Sequence, residues 1–132
     1  MKITRFDPSA DLIFVTGHVS GPNAKLRKLR LVLDTGAAET VIIPEILDEL
    51  GYSPRHGEAI TSLRSAVAEE QGYLIRVARF AALGHHRSDF RIHAHDLPEG
   101  WDIDGLIGLS FLRDLNFEIR YREGRILVER AP

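Results

Sequence analysis

The sequence contains no cysteine, a single tryptophan and a single methionine. Disulfides, thiol nucleophiles and cysteine-based zinc sites are therefore excluded, and a cysteine-free chain fits a cytoplasmic location. No apolar run approaches the ~20 residues that a membrane span requires, and the first 15 residues lack the apolar centre of a signal peptide. We expect a cytoplasmic protein without membrane contact.

The chain also lacks a large excess of charge of either sign. Its formal net charge is −2 and its pI is about 6.3, whereas a nucleic-acid-binding domain usually carries a basic surface. With 132 residues, of which 44% are hydrophobic and 27% charged, the composition predicts one globular domain over residues 1–132. The sequence shows no repeat, linker or low-complexity segment.

Short stretches of alternating or β-branched apolar residues predominate, which predicts an all-β domain with short helices. Pro44 and Gly51 are typical of the first turn and of the residue after the end of a helix, so residues 44–50 are predicted to be helical. A second short helix is expected near Ser110. Strands are predicted within residues 11–21, 25–34, 60–63, 74–80, 89–98 and 116–130, with a bend at 64–72 and a hairpin turn near 122–124.

The segment "LVLDTGAAETVI" places one acid at the end of an apolar run. Asp34 follows three apolar residues and precedes Thr35, Gly36, Ala37 and Ala38. A carboxylate in such a place stays ionised when backbone N–H groups and hydroxyls donate to it. Residues at the ends of strands often carry function, but Asp34 can also simply begin an Asx-turn before Gly36. The tripeptide alone leaves both interpretations open.

A second segment, "GLIGLSFLRDLNFEI", follows about 70 residues later. Together the two segments resemble the retroviral-type (retropepsin-like) aspartic proteases, and the order of hairpin, Asp-Thr-Gly loop, flap hairpin, apolar-apolar-Gly and short helix matches over nearly the whole chain. Ala38 and Leu109 stand where viral members carry an acid and an arginine, so the sequence is more similar to cellular and bacterial members. The resemblance implies a single-domain closed β-barrel with short helices.

The resemblance also implies an activity. Aspartic proteases hydrolyse peptide bonds with a water that two carboxylates activate, and this chain has only one Asp-Thr-Gly motif. It therefore implies a homodimer, with Asp34 from each subunit meeting on the two-fold axis, and a peptide or protein substrate, with neither cofactor nor metal. The alternative is a non-catalytic peptide-binding or dimerisation module on the same fold. Residues 126–130, "ILVER", are a candidate interface strand.

The resemblance assigns roles to named positions. The catalytic set is Asp34, Thr35, which braces the two loops, and Gly36. The substrate-binding set is Ala37, Ala38, Ser65, Ala66 and Val67. The structural support of the site is Leu106, Ile107 and Gly108, where Gly108 allows chains to cross closely. The flap is the hairpin within residues 60–77, with its tip near 64–70, and its two acids, Glu69 and Glu70, differ from the Gly-rich viral pattern.

Two further features have simpler explanations. His93 and His95 lie on one face of a predicted strand beside Asp96, with His85 and His86 nearby, and two ligands at i and i+2 can begin a metal site. We instead expect solvent-facing histidines, because no known metal-binding spacing supports the cluster. Trp101 is expected in the core rather than on a partner surface.

Overall fold

The computed structural model describes residues 1–57, 59–64 and 69–131, and it confirms an all-β protein with short helices. The elements are β1 (Lys2–Arg5), β2 (Phe14–Ser20), β3 (Leu26–Leu33), β4 (Val41–Ile42), α1 (Pro44–Glu49), a 3₁₀ turn (Pro54–His56), β5 (Ala59–Arg64), β6 (Glu69–Ala82), β7 (His85–Ala94), β8 (Gly105–Ile107), α2 (Leu109–Leu112), β9 (Leu115–Arg120) and β10 (Arg125–Arg130).

Six strands close into a barrel, as the resemblance implied. The order is β2-β3-β8-β4-β7-β6, and the ring closes because β2 also pairs with β6. The β3–β8 and β4–β7 pairs are parallel, and the other pairs of the ring are antiparallel. This ring of pairings fixes the ends of β3 and β8 side by side.

The first and last strands form a separate three-stranded sheet in the order β1-β10-β9. β10 lies in its centre, paired with β1 from Lys2↔Val128 to Arg5↔Arg125 and with β9 along its whole length. Both edges of β10 are therefore paired from Arg125 to Val128, whereas Glu129 and Arg130 pair only with β9. The role of residues 126–130 as an interface strand stays a prediction. Among the described strands, the open edges of this sheet belong to β1 and β9.

The core fills the barrel and extends beneath α2. Phe111 of α2 contacts Phe80 of β6 and Phe90 of β7, with ring centroids 5.2 and 5.8 Å apart. These three rings are buried, so the short helix is held mainly by aromatic packing rather than by its own four residues. This packing fixes α2 against the barrel wall beside the end of β8.

The predicted elements agree with the structure to different degrees. The helix at residues 44–50 is confirmed as Pro44–Glu49, with Leu50 as C-cap and Gly51 at φ +96°. Arg64 and residues 69–72, predicted as part of a bend, belong to β5 and β6, which pair as far as Arg64↔Glu69. No sequence pattern indicated β1, a four-residue strand that is mostly exposed and depends on β10 for its pairing.

Candidate active site

Asp34 lies immediately after β3, where the barrel strand turns into a loop. Its amide donates to the Ile107 carbonyl at 2.9 Å, so the end of β8 holds the backbone of this residue. Its Oδ1 accepts the Gly36 amide at 3.0 Å, and its carbonyl accepts the Ala37 amide at 3.2 Å. The Asx-turn considered from the sequence is therefore present, and it orients the carboxylate. No donor among the described residues reaches Oδ2.

The residues after Asp34 form an exposed ledge. Thr35, Gly36 and Ala38 are exposed, whereas Ala37 is partly buried. Small side chains on this ledge leave its backbone accessible to another chain. The half-buried carboxylate of Asp34 thus lies beside an open surface of one protomer.

Leu106, Ile107 and Gly108 run directly beneath this loop. Leu106 pairs with both Val32 of β3 and Val41 of β4, and Ile107 is completely buried. A Cβ on Gly108 would clash with the Glu39 carbonyl and lie 2.8 Å from the Ala37 carbonyl oxygen. Only glycine therefore allows the chain to pass under the loop at this distance.

Two hydroxyls join the loop to α2, and sequence reasoning did not identify them. The buried Thr40 hydroxyl accepts the Gly108 amide at 3.2 Å and lies 2.9 Å from the Ser110 hydroxyl. Ser110 Oγ in turn accepts the Thr40 amide at 3.0 Å. The sequence contained a sign of this pair in the positions of the two hydroxyls. Thr40 lies six residues after Asp34, and Ser110 lies two residues after Gly108.

The backbone adds a second connection between the same two segments. The amides of Leu109 and Ser110 donate to the carbonyls of Ala37 and Ala38 at 2.8 and 2.9 Å. The loop that carries Asp34 is therefore held by β8 at its start and by α2 at its end. Such a support restricts the carboxylate to one orientation.

Comparison with known proteins identifies this arrangement. A protein-family model described as aspartyl protease matches residues 15–111, which cover Asp34, its loop and the segment beneath it. The chain belongs to the aspartyl protease family. No curated protein shows significant sequence similarity to it.

Three solved structures share the fold of this aspartyl protease family member. A retropepsin-like aspartic protease from Rickettsia conorii aligns with a TM-score of 0.69 at 20% identity, over 96% of each chain. EIAV protease, in complex with the inhibitor HBY-793, aligns at 0.58 and 20% identity, over 80% of this chain and 89% of its own. The retroviral protease-like domain of Ddi1 from Leishmania major aligns at 0.59 and 15% identity, over 94% and 97%. At these identities the likeness concerns the fold.

The hairpin expected as the flap of this family member is formed by β5 and β6, whose backbones pair from Ala59↔Leu74 to Arg64↔Glu69. The proposed tip residues Ser65, Ala66 and Val67 lie outside the described residues. The base of the hairpin is close to β7, because a Cβ on Gly72 would clash with the Ala94 carbonyl.

His93, near the end of β7, and His95, just after it, are buried, so the expectation of solvent-facing side chains is wrong for these two residues. His93 is 6% and His95 5% exposed, and their rings lie 5.7 Å apart on the same face, as their spacing predicted. Burial lowers the pKa of His93 from its usual 6.5, and the neighbouring His95 acts in the same direction while Glu39 opposes it. Among the described residues no cluster of three or more His, Cys, Asp or Glu side chains is arranged to hold a metal ion.

Trp101 was expected in the core, and this prediction is also wrong. Its side chain is 48% exposed, in the loop between β7 and β8. With Leu12 and Phe14 it lines an open cavity of about 290 Å³ beside Arg30. The family member therefore presents its only tryptophan on the surface.

Proposed function

We propose that this protein is an aspartic endopeptidase whose site is completed by two copies of Asp34, one from each subunit of a homodimer. The observation that carries the proposal is the geometry of Asp34. Its Oδ1 is held by the Gly36 amide, while no described donor reaches Oδ2 and the adjoining ledge is exposed. One protomer thus offers an oriented carboxylate with one oxygen free for water or a second carboxylate.

The need for two copies follows from the count of motifs. The chain contains a single Asp-Thr-Gly, at residues 34–36. A two-fold axis brings a residue against its own copy, which gives two equivalent carboxylates from one sequence. Thr35 and Leu109 support this arrangement, because both are exposed beside the loop and are available to contact the second subunit.

The chemistry follows from the closeness of two like charges. Two carboxylates a few ångströms apart cannot both ionise at low cost, so the pair holds one proton, as aspartic proteases do in general. The ionised Asp34 acts as general base on a water, which attacks the carbonyl of the peptide bond. The protonated Asp34 polarises that carbonyl and then supplies the proton to the leaving nitrogen.

The remaining residues serve the pair. Thr35 braces one loop against its copy, and the Gly36 backbone contacts the substrate. Ala37 and Ala38 form the floor on which a peptide lies as an additional strand, beneath a flap whose tip includes Ser65, Ala66 and Val67. Leu106, Ile107 and Gly108 hold the floor from below. Neither a metal nor a cofactor takes part.

The position of β10 shapes the proposed dimer. Because β10 is paired on both edges from Arg125 to Val128, a second copy can add to this sheet only at β1, at β9 or beyond Val128, while the exposed ledge beside Asp34 lies at the proposed two-fold axis. No helix within the described residues is long and apolar enough to cross a membrane. A cytoplasmic location remains a prediction from the cysteine-free composition.

The decisive experiment compares the wild type with Asp34→Asn on denatured casein and on a peptide library between pH 4 and pH 7. Asn keeps the shape of the side chain but supplies no general base, so cleavage is expected to be abolished. Asp48→Asn, which removes an exposed carboxylate on α1, is the matched control and should cleave normally. Cleavage by Asp34→Asn equal to that of the wild type would refute the proposal. Peptide binding without cleavage by the wild type would favour the non-catalytic module.

A further inference from the structure

A cavity of about 350 Å³ opens on the barrel surface next to the loop that carries Asp34. Glu39, the fifth residue after Asp34, and Ser110, which binds Thr40, form its inner rim. The exposed ledge of residues 35–38 leads directly to Glu39 along the chain. Because Glu39 directly follows the ledge, the cavity lies within reach of a peptide that occupies the ledge and extends beyond it.

The walls of the cavity are unusually rich in arginine. Four arginines line it, namely Arg76, Arg87, Arg91 and Arg113. They face three carboxylates, those of Glu39, Asp89 and Asp114. Among the residues that the structure describes, the lining thus carries four guanidinium groups and three carboxylates.

Two of the four arginines already have partners. Arg87 binds Asp114 at 2.6 Å and lies over the Phe90 ring at 5.4 Å. Arg76 approaches the Asp89 carboxylate at 3.9 Å and donates to the Asp89 carbonyl at 3.0 Å. These contacts fix the side walls and use two of the three acids. They leave Glu39 as the carboxylate without an arginine within salt-bridge distance among the described residues.

The other two arginines are available. Arg113 uses Nε to bind the Leu109 carbonyl at 3.2 Å, which anchors its guanidinium on α2, and Arg91 is exposed on β7. Neither forms an ion pair with a residue that the structure describes. A guanidinium presents several N–H groups in a plane that matches a carboxylate, so two such groups at the rim of one cavity favour an acidic ligand.

We propose that this cavity binds an acidic side chain of an extended peptide substrate, through Arg91 and Arg113, at a position distant from the cleaved bond. The inference rests on the proposed function for its substrate class. In a homodimer each subunit carries one such cavity, so the preference for an acid applies on both sides of the cleaved bond.

The test uses peptides that differ only by Glu or its uncharged isostere Gln, with the substitution moved one position at a time along the peptide. Binding is measured by fluorescence anisotropy on Asp34→Asn, which is expected not to cleave the probe, and kcat/KM is measured on the wild type. At one or more distant positions, Glu should improve both quantities about fivefold over Gln. Raising the salt concentration should reduce the difference.

Variants of the two arginines provide the control for mechanism. Arg91→Gln and Arg113→Gln should lose the preference for Glu over Gln, mainly through KM. Arg122→Gln, an exposed arginine in the turn after β9, should retain the preference. Inorganic phosphate at matched ionic strength, which guanidinium groups also bind, should compete more strongly with the Glu peptide than with the Gln peptide; equal competition would overturn the proposal.

The outcomes separate this inference from the proposed function. Equal binding of Glu and Gln peptides at every position, or a preference that survives in both arginine variants, overturns the inference and leaves the protease intact. Tighter binding of the Glu peptide with no cleavage of any peptide by the wild type overturns the protease and retains the acidic subsite.

Discussion

The hydroxyls of Thr40 and Ser110 lie 2.9 Å apart beneath the loop that carries Asp34. Thr40 accepts the Gly108 amide, and Ser110 accepts the Thr40 amide, so two hydroxyls satisfy two backbone donors, the first of them in a buried place. Buried N–H groups without partners are costly. The pair therefore joins two distant parts of the chain through groups that would otherwise destabilise the site.

Replacing Thr40 with Val should destabilise the fold by about 1–3 kcal/mol, because the Gly108 amide loses its acceptor in a buried place. Thr40→Ser retains the hydroxyl and removes one methyl, so it should cost only about 1 kcal/mol. Urea unfolding at one protein concentration measures both values. A Thr40→Val protein as stable as the wild type would show that the hydrogen bond does not contribute.

Gly108→Ala adds only one methyl group, but it should strongly destabilise the fold. The added methyl would meet the Glu39 and Ala37 carbonyls, so the loop must move away from β8. We expect a loss of about 3 kcal/mol or more, together with a loss of peptide cleavage. Gly100→Ala is the matched control, because its methyl meets no atom within 4 Å although its φ of +84° adds strain. A Gly108→Ala protein as stable as Gly100→Ala would contradict the close crossing.

Leu109→Asp should weaken the homodimer without unfolding the protomer. Leu109 is 40% exposed at the start of α2, beside the ledge that the second copy is proposed to cover. Two charges near the two-fold axis, one from each subunit, should raise the dissociation constant at least about tenfold. Analytical ultracentrifugation measures it. Leu26→Asp, at a 63% exposed leucine in β3, is the control. A dimer equally stable in both variants would place the interface elsewhere.

The burial of His93 should make the fold sensitive to acid. Its folded-state pKa lies below the usual 6.5, so above pH 6.5 both states are neutral and its stabilising contribution is complete. As pH falls from 6.5 through the folded-state pKa, the unfolded chain binds more protons and that contribution is lost. His93→Gln should lose less unfolding free energy between pH 7 and pH 5 than the wild type. The exposed His86→Gln should behave as the wild type does, and an unchanged pH dependence in His93→Gln would contradict this prediction.

The sequence predicted those parts of the structure that local chemistry determines. Pro44 and Gly51 mark a helix by their backbone preferences, and the apolar run before Asp34 identifies a buried strand that ends in a loop. The same reasoning could not show which face of β7 is buried. That depends on β4, whose Val41 pairs with His93, and on Gly72, both distant in sequence.

Trp101 and Thr40 also show that sequence alone does not determine burial, since an aromatic residue is exposed and a polar one is buried. A tryptophan is usually buried, but this one lies in a loop that connects barrel strands and is half exposed. A threonine between a polar and an apolar segment is usually exposed. Thr40 is nevertheless completely buried, because Gly108 and Ser110, nearly 70 residues away in sequence, lie against it. The hydrophobicity of a residue predicts only how often its type is buried, whereas the tertiary packing determines whether a given residue is buried.

The parallel pairing of β3 with β8 also determines when, during synthesis and folding, the site can form. Leu33 and Ile107 are partners, and the amide of Asp34 is held by the carbonyl of Ile107. Contacts between such distant residues form late, since the intervening chain must first be ordered. During synthesis, a chain whose residues 105–110 are still in the ribosome has the local contact between Asp34 and Gly36, but it lacks the β8 and α2 contacts that hold the loop. If the proposed function holds, we expect no nascent copy to cleave its neighbours before this late segment has emerged and folded.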